Sequence, residues 1–162
     1  MTAVEVPAPV EEHMGLRSGE LPERAALSCA FSLPTEPVSV PASRAIAGRT
    51  LDAWGLARDD ALRERALLVL SELVTNSVRH AARLSPRVDI GLSLTDSALT
   101  VTVHDRHPHR PSPPPRPRPD GEGGWGLRLV SRLAAESGGA MTVRADAHGP
   151  GKTVTACLPL AG

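Results

Sequence analysis

A ten-residue segment that begins at Glu72 carries polar side chains along one stripe of a predicted helix. Glu72, Asn76 and His80 recur every four residues and Arg79 lies beside them, so they share one face when about 3.6 residues make a turn. A carboxylate can accept a proton, an amide oxygen can bind a metal ion, and basic groups can contact phosphate. A solvated helix face has the same pattern, so the stripe alone leaves both interpretations open.

Composition narrows the class of protein. The chain has 162 residues, enough for one domain with a hydrophobic core, and its 18 basic and 18 acidic residues give a net charge of zero. No overall field therefore favours nucleic acid or an anionic membrane. Aromatic side chains for base stacking are nearly absent, and no apolar run approaches the ~20 residues that span a bilayer. We expect a soluble, cytoplasmic protein without direct nucleic-acid or membrane binding.

The order of elements predicts the fold class. Residues 1–26 are rich in Pro, Glu and Ala and predict a flexible N-terminal tail, whereas residues 27–162 form one domain. Alternating and helical periods there predict an α+β fold: a two-layer α/β sandwich whose mixed, mostly antiparallel sheet has helices on one face. The predicted strands cover 27–33, 88–94, 99–105, 140–146 and 153–160, and the predicted helices cover 38–54, 59–84 and 125–137.

A glycine-rich segment, residues 121–127, leads directly into the third predicted helix. Glycines let backbone amides approach an anion, and a helix start adds the positive end of its dipole; a flexible capping loop is the other interpretation. The segment is not a dinucleotide fingerprint, because the third glycine would fall at Leu129. The triplet at 151–153 is not a P-loop, because Asp146 stands where the earlier glycine is required.

Asp105 ends a strand of buried character. Its carboxylate could accept a hydrogen bond from an exocyclic amine such as that of adenine, or it could simply form the turn that follows the strand. His104, His107 and His109 lie close by in the sequence. Neighbouring residues of a strand point to opposite faces, and no partner cluster is visible elsewhere, so we do not expect a structural zinc site.

In order and spacing, four motifs resemble those of the GHKL ATPase superfamily, and within it the anti-sigma regulatory factor serine/threonine kinases of bacteria. The resemblance covers about residues 28 to 160. The motifs are Glu72…Asn76…His80, then Asp105, then Gly124-x-Gly126-Leu127, then Gly151-x-Thr153.

The resemblance implies a role for each matching position, with ATP and Mg²⁺ as cofactors. Glu72 is the expected general base, and Arg44, on the first helix, is the expected contact with a protein partner. Residues 106–123 are expected to form a Pro-rich ATP lid. The expected ATP contacts are Asn76 through Mg²⁺, Arg79, His80, Gly124, Gly126 and Leu127 near the phosphates, and Asp105 and Thr153 at the adenine.

The implied function is transfer of the γ-phosphoryl group of ATP to an anti-anti-sigma antagonist, with sequestration of a sigma factor by a homodimer. His107, two residues after Asp105, and Trp125, inside the glycine motif, depart from the family pattern. They keep open an alternative, a non-catalytic ATP-sensing protein-binding module. The ATPase half of a histidine kinase is a third reading, less favoured because no phosphoacceptor helix pair precedes residue 28.

Overall fold

The computed structural model describes residues 27–56, 60–108 and 125–160. The predicted tail, most of the predicted lid and Gly124 lie outside this part. The element order is the predicted one. The elements are β1 (Leu27–Pro34), α1 (Ser39–Ala53), α2 (Ala61–His80), β2 (Arg87–Leu94), β3 (Ala98–Asp105), α3 (Trp125–Glu136), β4 (Ala140–Ala145) and β5 (Lys152–Pro159).

The five strands form one sheet in the order β1-β2-β3-β5-β4, and each neighbouring pair is antiparallel. The predicted α+β sandwich is confirmed, and the strands in the described ranges pair without a parallel neighbour. The β2–β3 connection is the predicted hairpin, which the Thr95 amide closes by donating to the Ala98 carbonyl at 2.9 Å.

The core lies between the sheet and the helices, with α2 at its centre. Along β3, alternate residues enter the core, and Asp105 continues the phase set by Val101 and Val103. None of the helices in the described ranges is long and apolar enough to cross a bilayer. The apolar face of α2 is buried at Ala66, Leu67, Val69, Leu70, Leu73 and Val74.

Helix α2 is shorter than predicted at its C-terminal end. Asp60 caps its start, because its carboxylate accepts from the Leu62 amide at 2.8 Å. The helix ends at His80, not near Leu84, and the chain continues in a turn in which the Leu84 amide donates to the carbonyl of Ala81 at 2.9 Å. Leu84, the predicted end of the helix, is 57% exposed.

The other face of the sheet carries His104, which bridges two carboxylates. Its Nε2 lies 2.9 Å from Asp146 and its Nδ1 lies 3.3 Å from Asp89. Partial burial lowers the pKa of His104, but the hydrogen bonds and negative charges of Asp146 and Asp89 outweigh it, so the pKa is raised from its ordinary 6.5. The folded protein therefore favours the imidazolium.

We expect this cluster to make stability depend on pH. A raised folded-state pKa stabilises the protein fully below the ordinary pKa and loses that effect as pH rises through the folded value. Urea unfolding from about pH 5.5 to about pH 9 should show the wild type losing stability relative to His104→Gln as pH rises. His148→Gln, at an exposed turn position, is the control. Parallel profiles for the wild type and His104→Gln would contradict the prediction.

Candidate functional site

One end of the candidate site is formed where α2 meets the start of α3. The Glu72 carboxylate reaches the backbone of Gly126, so closely that a Cβ at Gly126 would lie 2.6 Å from Glu72 Oε2. Gly126 therefore leaves the space that the carboxylate occupies, and the first turn of α3 is electrostatically favourable for a negative charge. Leu127 is buried and anchors this turn in the core. Two expected site residues, Glu72 and Gly126, thus come together.

The other end of the site is a buried polar cluster around Asp105. The Ser77 hydroxyl, from α2, donates to Asp105 Oδ2 at 2.7 Å. Lys152 Nζ, from β5, lies 2.6 Å from Asp105 Oδ1, and the His107 amide donates to the same oxygen at 3.0 Å. Asp105 and Lys152 are each 3% exposed. The carboxylate therefore joins α2, β3 and β5 at one point.

Sequence reasoning missed Lys152 and Ser77, although β5 contains a signal for the lysine. Lys152 has the same phase as Val154, Ala156 and Leu158, which face the core. A lysine in that phase is expected to be paired, because an unpaired buried ammonium is costly. The antiparallel register sets Lys152 directly opposite Asp105. The strand register, and not the sequence of residues 151–153, shows which carboxylate Lys152 contacts.

Thr153 is not part of the polar cluster of Asp105, Ser77 and Lys152, which we call the Asp105 corner. This corrects its expected place beside Asp105. The register sets it opposite His104 on one side and Arg144 on the other, on the face of the sheet away from the helices. Neighbouring residues of a strand point to opposite faces, so Thr153 and Lys152 cannot both reach Asp105. The residue of the Gly151-x-Thr153 motif beside the carboxylate is Lys152.

The remaining expected ATP contacts extend along α2. Asn76 is half-buried and lies one turn after Glu72. Arg79 and His80 are exposed in the last turn of α2, where basic side chains also complement the negative end of the helix dipole. Their position fits contact with a phosphate chain, and equally fits a purely structural role at the helix end.

Arg44 lies apart from these residues, in a groove between α1 and α2. Its guanidinium lies 3.4 Å from Glu64 and 3.5 Å from the Ser71 hydroxyl, both on the α1 side of α2. The groove has a volume of about 440 Å³, and the buried guanidinium of Arg63 contributes to its wall. Arg44 therefore belongs to a second surface and not to the Glu72 site.

We expect the Asp105–Lys152 pair to show strong energetic coupling. Asp105→Asn leaves the Lys152 ammonium buried beside a neutral group, and each single change, including Lys152→Met, should lower the free energy of unfolding by about 3–5 kcal/mol. The double variant removes both charges and should recover most of that loss. Urea unfolding of the wild type, the two single variants and the double variant measures this coupling energy. The exposed Arg132–Glu136 pair is the control and should show little coupling; equal coupling in both pairs would contradict the prediction.

Comparison with known proteins agrees with this architecture. Residues 33–158 match the family described as the histidine kinase-like ATPase domain. No curated protein matches the chain in sequence. Among solved structures, the RsbU and RsbW domains of a Mycobacterium tuberculosis protein share the fold, with a TM-score of 0.58 and 19% identity over 84% of this chain. This chain covers 34% of that one, about a third of its length.

A histidine kinase from Burkholderia phymatum is also similar, with a TM-score of 0.48 and 22% identity over 85% of this chain and 73% of that one. The family match runs from the end of β1 to the end of β5 and therefore includes the Glu72 site and the Asp105 corner. The chain belongs to the histidine kinase-like ATPase domain family, within the GHKL superfamily.

Proposed function

We propose that this protein is an ATP-dependent serine/threonine protein kinase of the anti-sigma factor type. The observation that carries the proposal is the placement of Glu72 against Gly126, on the same helix that contacts Asp105 through Ser77. In an ATPase-family domain this arrangement sets a proton acceptor near the middle of α2 and a hydrogen-bonding carboxylate closer to its C-terminal end. The proposal assigns Glu72 to the attacking hydroxyl at the γ-phosphate and Asp105 to the adenine.

The chemical step follows from these positions. Glu72 takes the proton from a Ser or Thr hydroxyl of the partner while the hydroxyl oxygen forms a bond to the γ-phosphorus. The bond between that phosphorus and the β,γ-bridging oxygen breaks, and ADP leaves with the electron pair. Glu72 then releases its proton to solvent. Phosphoryl transfer needs mainly positioning and charge neutralisation, so few protein groups are required beyond the base.

The residues present fit an ATP–Mg²⁺ complex. Mg²⁺ is commonly held by one or two protein oxygens together with phosphate oxygens and water, so the amide oxygen of Asn76 suffices on the protein side. The bound metal neutralises charge on the phosphates. Arg79 adds positive charge, His80 can donate a hydrogen bond, and the backbone at Gly126 and Leu127 can donate to phosphate oxygens. Gly124 and the 106–123 lid complete the proposed phosphate end.

The proposed partners are an anti-anti-sigma antagonist, which is phosphorylated, and a sigma factor, which is sequestered by a homodimer. Arg44 is the proposed partner contact. Its guanidinium is exposed at the rim of the α1–α2 groove, and its ion pair with Glu64 is long, at 3.4 Å. A weak, solvated pair can be exchanged for a partner carboxylate at little cost.

A second candidate function is a module that binds ATP and responds through partner affinity alone. Trp125 favours it, because this side chain is 58% exposed at the start of α3, beside the expected phosphate contacts. Such a module binds ATP without transfer that depends on Glu72.

The kinase proposal is tested by replacing Glu72, the proposed general base. We expect Glu72→Gln to reduce phosphoryl transfer from labelled ATP to the cognate antagonist by about 10²–10⁴-fold, because the hydroxyl loses its proton acceptor. ATP affinity, measured by calorimetry, should stay within about threefold of the wild-type value, since Glu72 is assigned to the attacking hydroxyl and not to the adenine. Glu136→Gln, an exposed carboxylate of α3, is the control. ATP binding with equal transfer by both variants would reject the kinase and favour the sensing module.

Arg44 is tested separately from catalysis. We expect Arg44→Ala to weaken the affinity for the sigma factor about tenfold or more, because an arginine at a contact centre contributes strongly to binding. ATP affinity should not change, because Arg44 lies on the α1 side of α2. Arg132→Ala, an exposed arginine of α3, is the matched control. Equal affinities of the two variants for the sigma factor would remove Arg44 from the interface.

A further inference from the structure

We propose that Lys152 reads the nucleotide base together with Asp105: the carboxylate accepts from the exocyclic amine of adenine while the ammonium donates to ring nitrogen N1. The inference rests on the proposed function, because it requires ATP to bind at this corner. It assigns a specificity role to a residue that none of the sequence motifs singled out. The argument depends on which hydrogen-bonding positions of the ion pair are already filled.

Asp105 has one acceptor position left. A carboxylate offers about four lone-pair positions, two on each oxygen. Lys152 Nζ and the His107 amide fill those of Oδ1, at 2.6 and 3.0 Å. The Ser77 hydroxyl fills one position of Oδ2 at 2.7 Å. Among the described residues, nothing fills the second position of Oδ2, so the carboxylate can accept one further hydrogen bond.

Lys152 has one donor left. An ammonium carries three N–H groups. One points to Asp105 Oδ1 at 2.6 Å and a second to the His107 carbonyl at 3.4 Å. Within the described part of the chain the third has no acceptor. Among the described residues the ion pair therefore keeps one acceptor position and one donor in a buried place, where each contact is stronger than in water.

Adenine matches this pair of groups. Its exocyclic amine is a donor, and N1, bonded to the same ring carbon, is an acceptor. The proposal therefore sets the amine on Asp105 Oδ2 and N1 on the Lys152 ammonium. Two contacts of opposite polarity fix both the position and the rotation of the base, whereas the carboxylate alone reads only an amine.

The choice of lysine supports a recognition role. Lys152 is the only lysine in a chain whose other basic side chains are all arginine. A guanidinium is planar and forks towards a carboxylate with two parallel bonds, which uses its donors on that partner. A compact ammonium bonds Asp105 with one N–H and keeps others for a ligand.

The affinities for two nucleotides distinguish a recognition role of Lys152 from a purely structural one. We expect the wild type to bind ATP about tenfold more tightly than 1-deaza-ATP, in which a C–H replaces N1, because a hydrogen bond to a charged group is lost. Lys152→Met has a similar length and no donor, so it should bind both nucleotides within about twofold of each other. The ratio within one variant cancels any general weakening. Calorimetry on the full chain gives both ratios.

A second measurement requires no variant. Because the chain has one lysine, protein labelled with ¹⁵N-lysine gives a single side-chain ammonium signal. We expect saturating ATP to shift this signal clearly more than saturating 1-deaza-ATP. Equal affinities of the wild type for the two nucleotides, or equal shifts, would overturn the role of Lys152 and leave ATP binding intact. A wild type that binds neither nucleotide would overturn the role of Lys152 and the proposed function together.

Discussion

The buried ion pair of Asp105 and Lys152 constrains the relative positions of β3, β5 and α2. Removing two charges from water costs several kcal/mol per ion, and well-packed apolar residues would often be at least as stable at such a place. The pair also fixes geometry, since β3 and β5 must keep one register and Ser77 of α2 must face it. A sheet and a helix are thereby held in one relative position where the base is proposed to bind.

Helix α2 connects this corner to the rest of the molecule. Glu72 and Ser77 face the candidate site, whereas Glu64 and Ser71 contact Arg44 across the groove. Ser71 and Glu72 are neighbours in sequence and lie about 100° apart around the helix axis, so two surfaces with different proposed tasks lie on adjacent sides of one helix. A helix moves largely as a unit, so any shift of α2 at the candidate site would also move Glu64 and Ser71, which contact Arg44. Helix α2 thus joins the proposed nucleotide site to the proposed partner contact.

The sequence predicted what depends on local pattern and missed what depends on register. Period-two and helical patterns indicated all the elements, and Asp105 was found because a charge at a strand end is visible locally. The partner of Asp105 was not, because 47 residues separate it from Lys152 and only the β3–β5 pairing joins them. Thr153 was chosen from the motif, although strand alternation turns it to the other face. The end of α2 was predicted at residue 84 but lies at His80, where the turn at Ala81 begins.

The two ends of the site differ in how their carboxylates are held. At the Asp105 end, three hydrogen-bonding groups, from α2, from β5 and from the chain after β3, surround one carboxylate, so the proposed recognition of adenine is preorganised. At the other end, the carboxylate of Glu72 stands on a flexible side chain against Gly126, where a Cβ would displace it. The proposed general base, Glu72, must take up a proton and release it, so it needs more freedom than the proposed adenine contact, Asp105. Glycine at 126 leaves space for the Glu72 carboxylate, and Leu127, the next residue, anchors α3 in the core.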